Sequence, residues 1–334
     1  MTWIREALTR LPEADRDSAA ALRARADDIL RPTGALARLD EVAVHMAAWL
    51  RTPAPRVERP AGLVFAGDHG VAASGEVSAY PTAVTAAMLS ACLQQKATIC
   101  ALARSVGATL DTIDVGVGRP TGDIRFEPAM SPTRFHEVVD AAVAAVDDLD
   151  CDLLVVGEIG IGNTTVAAAL AGSLLGGDPA SWVGRGTGVD DAGLARKRAA
   201  VAAVMERTSA IAEDPIELMR EAGGAELTAM AAATIAARLR SIPVVLDGYV
   251  VASAVLPLHL ADPSALDHCI VGHCSGEPGH RRVLDVIGKP VLLDLGMRLG
   301  EGSGAMTAVP IIRAACDAVV EVATFAEWFG QADA

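Results

Sequence analysis

Apolar residues along the chain gather in six short runs, at 62–66, 109–115, 153–156, 243–246, 269–271 and 290–293, each followed at once by Gly or Asp. The runs are often β-branched and lack the polar alternation of a half-exposed sheet, so they predict strands buried on both faces. Between them lie Ala- and Leu-rich segments of helical length at 83–103, 135–145, 164–175, 191–211 and 226–239. Strand alternating with helix predicts an α/β fold, a doubly wound parallel sheet covered by helices. The ends differ from the middle. Residues 13–50 carry two amphipathic helical patterns broken at Pro32-Thr33-Gly34, and 304–328 is again helical, with no strand between or beside them. Residues 1–55 with 305–334 are therefore expected to form a small helical subdomain against a main domain at 56–304. No low-complexity linker or fixed-period repeat divides the chain further.

Composition narrows the function classes. The chain has 334 residues, 51% hydrophobic and 21% charged, with a formal net charge of −14. A polyanion binder needs a basic face, and no long Lys/Arg cluster is present. Four Trp, two Tyr and five Phe also leave few platforms for stacking bases, so no nucleic-acid partner is expected. The most apolar stretch, 242–260, is cut by Asp247 and contains Pro243 and Pro257, so it does not read as a membrane span. The first residues, MTWIREALTRLPEADRD, carry charges where a signal peptide has its apolar core. Six cysteines without a CxxC pair read as reduced, mostly buried thiols, which predicts a cytoplasmic protein.

In open α/β sheets ligands bind beyond the carboxyl ends of the strands, so the residues that follow each run carry the chemistry. Five of the six runs end in Gly beside an ionisable residue: Gly67-Asp68-His69-Gly70, Gly157-Glu158, Asp247-Gly248, Gly272-His273, and Asp294 leading into Gly300-Glu301-Gly302. The segment from Gly157 to Thr165 leaves a strand and enters a helix, so free N–H groups near Asn163, Thr164 and Thr165 would face the crevice with the helix dipole behind them. It reads GxxGxG, neither a Walker loop nor GxGxxG. Two readings stand: a phosphate cradle, or a tight turn with Asn163 as helix cap. A second Gly-rich helix entry, Gly184 to Asp191 with Gly186, Thr187 and Gly188, opens a helix that carries Lys197. Two such entries plus a lysine suit a phosphorylated sugar or nucleotide.

Glu301 stands between glycines at a strand-to-helix turn. It would serve as a general base if partial burial or a second carboxylate such as Glu158 raised its pKa, or else as an acid answering a helix dipole. His268-Cys269, His273-Cys274, Asp68-His69 and His280 offer metal-ligand types, but HC-x3-HC is no standard zinc spacing, and no metal is expected. No G-x-S-x-G elbow supports serine hydrolysis.

The chain resembles the nicotinate-nucleotide–dimethylbenzimidazole phosphoribosyltransferase family. The resemblance is carried by RPTGALARLDE at 31–41, VFAGDHGVAASGEVSAYPTAVT at 64–85, VVGEIGIGNTTVAAA at 155–169 and GRGTGVDDAGLARK at 184–197. It continues through GGAEL at 223–227, PVVLDGYVVASA at 243–254, GHCSGEPGHR at 272–281 and LDLGMRLGEGSGA at 293–305. These stretches occur in family order over nearly the whole chain. The resemblance implies a Rossmann-like sheet with a small domain from the chain ends, a homodimer, and no metal or organic cofactor. It implies transfer of phosphoribose from nicotinate mononucleotide to 5,6-dimethylbenzimidazole, giving nicotinate and α-ribazole phosphate. By the same resemblance Glu301 is the general base, with Glu158 and Lys197 lining the site and Lys197 facing the phosphate. Gly160, Gly162, Asn163, Thr164, Thr165, Gly186, Thr187, Gly188 and Ser275 would surround the donor, and Ser78, Tyr80 and Met88 the aromatic acceptor. Departures from the family pattern fall mainly around the acceptor: an inserted Glu76, Ala87 for the usual Gln, a shortened 118–130 loop, and Cys274 for Arg. They leave two further expectations open, the same donor with another aromatic base, or a nucleotide-binding paralogue without turnover.

Overall fold

All six apolar runs become strands in the computed structural model, which describes residues 2–74 and 76–330. They are β1 (Pro60–Gly67), β2 (Thr109–Gly116), β3 (Leu153–Ile159), β4 (Val244–Leu246), β5 (Cys269–His273) and β6 (Val291–Leu293). Every pairing is parallel, in the order β2-β1-β3-β4-β5-β6. The chain runs outward from β1 to β2, returns to the other side of β1 as β3, and then proceeds in one direction to β6. Loops leaving β1 and β3 therefore diverge and open a crevice at the carboxyl ends of those strands. The sheet is doubly wound as expected, although its order differs from the 3-2-1-4-5-6 of a Rossmann sheet.

Fourteen α-helices are described. The first seven are α1 (Thr2–Leu8), α2 (Arg16–Asp28), α3 (Arg38–Leu50), α4 (Ala83–Leu93), α5 (Thr98–Val106), α6 (Pro132–Asp147) and α7 (Asn163–Leu175). The others are α8 (Asp191–Arg207), α9 (Pro215–Ala222), α10 (Ala225–Leu239), α11 (Tyr249–Ala261), α12 (Pro278–Ile287), α13 (Ser303–Val320) and α14 (Phe325–Phe329). Alternate strand residues serve opposite faces. Leu63 and Phe65 pack with α6, α7, α10 and α11, whereas Val64 and Ala66 pack with α3, α5 and α13. A smaller cluster joins α2, α3 and the end of α13 through Leu22, Ala26, Ile29, Ala43, Ala47 and Val319. The first helix lies elsewhere, placing Ile4 and Ala7 in the α6–α11 core.

Three expectations change. The 83–103 segment is two helices, because the exposed polar run Gln94-Gln95-Lys96 turns the chain, with Gln95 left-handed at φ 59°. The predicted burial on both faces fails for the two edge strands: β2 has Thr109, Asp111 and Asp114 exposed, and β6 is only half-buried along its length. Four helices, α1, α9, α11 and α12, lie outside the predicted helical segments; α11 holds Pro257 inside it. One described helix, α13, is long and apolar enough by composition to cross a bilayer, but 56% of it is buried in the protein interior. It packs on the sheet as a core helix does.

Candidate active site

Three glycines build the turn that carries Glu301. Gly300 and Gly302 have φ of 87° and 81°, and Glu301 between them is itself left-handed at 62°. A non-glycine residue pays a steric penalty there, so the surrounding contacts must hold it. Gly157 supplies the space: a Cβ on it would lie 2.5 Å from the Glu301 carbonyl and from the Gly302 nitrogen. A Cβ on Gly300 would collide with the Glu158 carboxylate. The sequence-predicted pair is therefore assembled across the β3 end and the turn before α13, and both residues are buried.

Both carboxyls have raised pKa values. For Glu158 burial is the main cause, reinforced by the nearby charges of Asp247, Glu226 and Glu301, while a hydrogen bond donated by the Asn163 amide works against it. For Glu301 burial again leads; the Ile99 N–H offsets part of the shift and Asp247 adds to it. Glu301 Oε2 is buried with no hydrogen-bond partner. An unpaired buried acceptor is costly and marks a place where a ligand proton fits.

The helix entry at 160–165 differs from its expected form. Gly162, not Asn163, is the N-cap of α7. The Asn163 N–H donates to the Gly160 carbonyl at 3.1 Å and the Thr165 N–H to that of Gly162 at 2.9 Å, so neither is free for an anion. Gly160 is needed for packing, since a Cβ would lie 2.8 Å from the Gly67 carbonyl oxygen and 2.9 Å from His69 and Glu226. Gly162, with φ 96°, would place a Cβ 2.8 Å from that of Ala72. Thr165 is buried and its hydroxyl is unpartnered.

Cationic character concentrates one turn away. Lys197 of α8 is buried and donates to Thr164 Oγ1 at 3.0 Å. Burial pushes its pKa down to about 8, opposed by Glu277. Gly186, at φ 52°, approaches both; a Cβ there would lie 2.8 Å from Thr164 Oγ1 and 2.9 Å from Lys197 Nζ. The Gly186 N–H donates to Glu277 Oε1 at 3.2 Å, and Arg298 donates to the Gly186 carbonyl at 3.1 Å. Gly188 is left-handed at φ 105°. Ser275 is buried, its N–H donating to His280 Nδ1 at 2.9 Å.

The expected acceptor residues lie on the loop after β1 and on α4. Ser78 Oγ is 3.1 Å from Thr187 Oγ1, and the Ala79 N–H donates to the same Thr187 oxygen at 3.1 Å. The loop thus touches the Gly186–Gly188 turn directly. Tyr80 is exposed, and Met88 is half-buried against the α3–α13 core. Glu76 anchors the same loop, accepting from Arg125 by its carboxylate and from Arg196 by its carbonyl.

Four residues to which sequence reasoning gave no role in the reaction stand behind it as buried pairs. His69 Nε2 and Glu226 Oε1 are 2.6 Å apart, and His273 Nε2 and Asp247 Oδ1 are 3.2 Å apart. Their only signal was position, each of His69, Asp247 and His273 falling at a strand end. Glu226, inside the GGAEL stretch, gave none. Among the described residues no group of three or more His, Cys, Asp or Glu is placed to hold a metal.

A doubly wound sheet with a buried carboxylate pair at its switch point, beside a lysine and Gly-rich turns, is built as a crevice for a phosphorylated ligand. The phosphoribosyltransferase family model matches residues 11–328. A nicotinate-nucleotide–dimethylbenzimidazole phosphoribosyltransferase of Methylocella silvestris is 48% identical over 97% of this chain and 94% of its own. That of Mesorhizobium japonicum is 47% identical over 97% and 96%. The crystal structure of CobT from Thermus thermophilus superposes with a TM-score of 0.89 at 39% identity, covering 94% of this chain and 98% of that one. The chain belongs to the nicotinate-nucleotide–dimethylbenzimidazole phosphoribosyltransferase family and is a pentosyltransferase.

Proposed function

We propose that the protein transfers the phosphoribosyl group of nicotinate mononucleotide to 5,6-dimethylbenzimidazole, with Glu301 as general base. The observation that carries this reading is the Glu301 carboxylate itself, fixed by its glycines, raised in proton affinity by burial, and holding Oε2 buried and unpaired. The pyridinium of the donor departs as a neutral ring, taking the electron pair of the bond to C1′. No acid, metal or organic cofactor is needed for that departure. One benzimidazole nitrogen forms the new bond to C1′ with its lone pair, and the N–H proton of the other goes to Glu301. Attack on the face opposite the leaving ring inverts C1′ and gives the α-ribazole phosphate. Positioning the two reactants supplies much of the acceleration.

The donor phosphate is assigned to Lys197, Thr164 and the Gly186-Thr187-Gly188 turn, with Ser275 alongside. The internal hydrogen bonds of the 160–165 turn give Gly160, Gly162, Asn163 and Thr165 a supporting role there. Glu158, held by Asn163 and close enough to Glu301 to sense its charge, is assigned to the same reaction centre. Ser78, Tyr80 and Met88 are assigned to the acceptor. The same reading takes the chain as a cytoplasmic homodimer: its six cysteines are free and buried, as suits a reducing compartment, and Phe325, Trp328 and Phe329 leave apolar surface exposed.

The test incubates the purified protein with nicotinate mononucleotide and a panel of 5,6-dimethylbenzimidazole, benzimidazole, adenine and simple phenols, reading products by mass. Preferred formation of α-ribazole phosphate is expected. Product only with another base would move the acceptor assignment, and none at all would overturn turnover. Glu301→Gln should lower kcat by about 100- to 10,000-fold, the usual worth of a positioned base.

A further inference from the structure

We propose that Asp247 is the positioning residue for Glu301: from the end of β4 it caps α13 across the sheet and so fixes the turn that carries the base. The inference rests on Glu301 being that base. The N-cap of α13 is Gly302, which has no side chain to offer the first-turn N–H groups. Asp247 Oδ1 accepts the Ala305 N–H at 2.8 Å. Ala305 is the third residue of the helix, the position an N-cap side chain ordinarily serves, so Asp247 does from another element what Gly302 cannot.

The neighbouring strands are shaped for this contact. In β3–β4 Val155 pairs Val245, and in β4–β5 Leu246 pairs Val271. Continuing those registers places Gly157, Asp247 and Gly272 side by side across β3, β4 and β5. A Cβ on Gly272 would lie 2.7 Å from the Ala305 Cα, as one on Gly157 would lie 2.5 Å from the Glu301 carbonyl. Two glycines thus let the start of α13 rest on the strand ends, and the acid between them takes its N–H. The His273 ring lies against the same turn, where a Cβ on Gly304 would collide with it, and its Nε2 is 3.2 Å from Asp247 Oδ1.

The charged groups around this contact come from every element that meets there. Glu158 lies on β3, with Glu226 of α10 acting on it, and Glu301 on the turn. His273 comes from β5 and His280 from α12, and Cys92 of α4 lies near enough to Glu301 to sense its charge. Asp247 favours the proton on both Glu158 and Glu301. Its two contributions are separable. An Asn side chain keeps the acceptor oxygen and removes the charge, whereas Ala removes both.

The experiment compares Asp247→Asn, Asp247→Ala and Glu301→Gln with the parent protein, using nicotinate mononucleotide and 5,6-dimethylbenzimidazole. It measures kcat and KM against pH, and amide hydrogen exchange in the first turn of α13. Asp247→Ala is expected to lower kcat about 100-fold, the scale of an ångström-level misplacement. Its donor KM should stay within about threefold, and the Ala305 amide should exchange faster. Asp247→Asn should retain amide protection while the acid limb of kcat moves to lower pH, because a negative charge that favoured protonated Glu301 has gone. Wild-type kcat in Asp247→Ala, with Glu301→Gln inactive, would overturn the inference and leave the base assignment standing. An active Glu301→Gln would remove the base assignment itself. If Asp247→Ala does not fold, Asp247→Ser, whose hydroxyl is one bond too short to reach the Ala305 N–H, decides, and wild-type kcat in it overturns the proposal.

Discussion

Gly157 and Glu301 meet backbone to backbone: a Cβ on Gly157 would fall 2.5 Å from both the carbonyl carbon and oxygen of Glu301. A strand glycine and a residue far along the sequence thus define one surface. Gly157→Ala should displace the Glu301 turn, because the obstructing atoms are main chain and cannot swing aside. A loss of about 100-fold in kcat with donor KM nearly unchanged is expected, with overpacking costing about 1–3 kcal/mol of stability. Steady-state kinetics beside thermal unfolding separates the two effects.

Glu158 should trade stability for function. Its carboxyl is buried with a pKa well above the ordinary value, so its neutral form is the one the fold favours. That contribution is present below the unfolded carboxyl pKa and is lost as pH rises through the higher folded value. Glu158→Gln keeps an acceptor oxygen for Asn163 and removes the charge. Its denaturation midpoint is therefore expected above the parent's at pH 8, with the gap closing in acid, while turnover falls. A variant less stable than the parent at pH 8 would contradict this electrostatic account.

On the phosphate role proposed for Lys197, donor binding should depend on pH. With its pKa lowered to about 8 by burial, the ammonium is present below that pH and lost above it. The KM for nicotinate mononucleotide should therefore rise as pH passes about 8. Lys197→Met should raise KM at neutral pH by about 10- to 100-fold, the range for a lost hydrogen bond to a charged group. In that variant the pH-dependent rise should vanish, and initial rates measured across the neutral to alkaline range would show it.

Thr187 ties the 76–80 loop to the Gly186–Gly188 turn through two contacts of 3.1 Å, to Ser78 Oγ and to the Ala79 N–H. Thr187→Val keeps the volume and removes the hydroxyl. The KM for the benzimidazole should increase about three- to tenfold, the worth of roughly one neutral hydrogen bond. Thr187→Ser should restore it. Limited proteolysis should cut the 76–80 loop faster in the valine variant.

Local pattern was enough to place the six strands and to single out the ionisable residues at their ends. Runs with no polar alternation read as strands covered on both sides, and Gly beside an ionisable residue at their ends marked where a ligand would bind. That logic singled out Glu301, with a helix-dipole acid as its other local use, while the resemblance supplied the roles proposed for Glu158 and Lys197. It failed where the cause was long-range. Gly160 and Gly162 read as glycines for a phosphate, and nothing local shows that His69, Glu226 and Ala72 also pack against them from elsewhere in the chain. The exposure of β2 depended on its place at the sheet edge, which no local pattern encodes. Folding in three dimensions was needed to set Asp247 against the Ala305 N–H and Gly157 beneath Glu301. Side-chain type and spacing report what a residue can do, whereas the proton affinity and orientation of a buried carboxyl depend on groups that folding alone brings within reach.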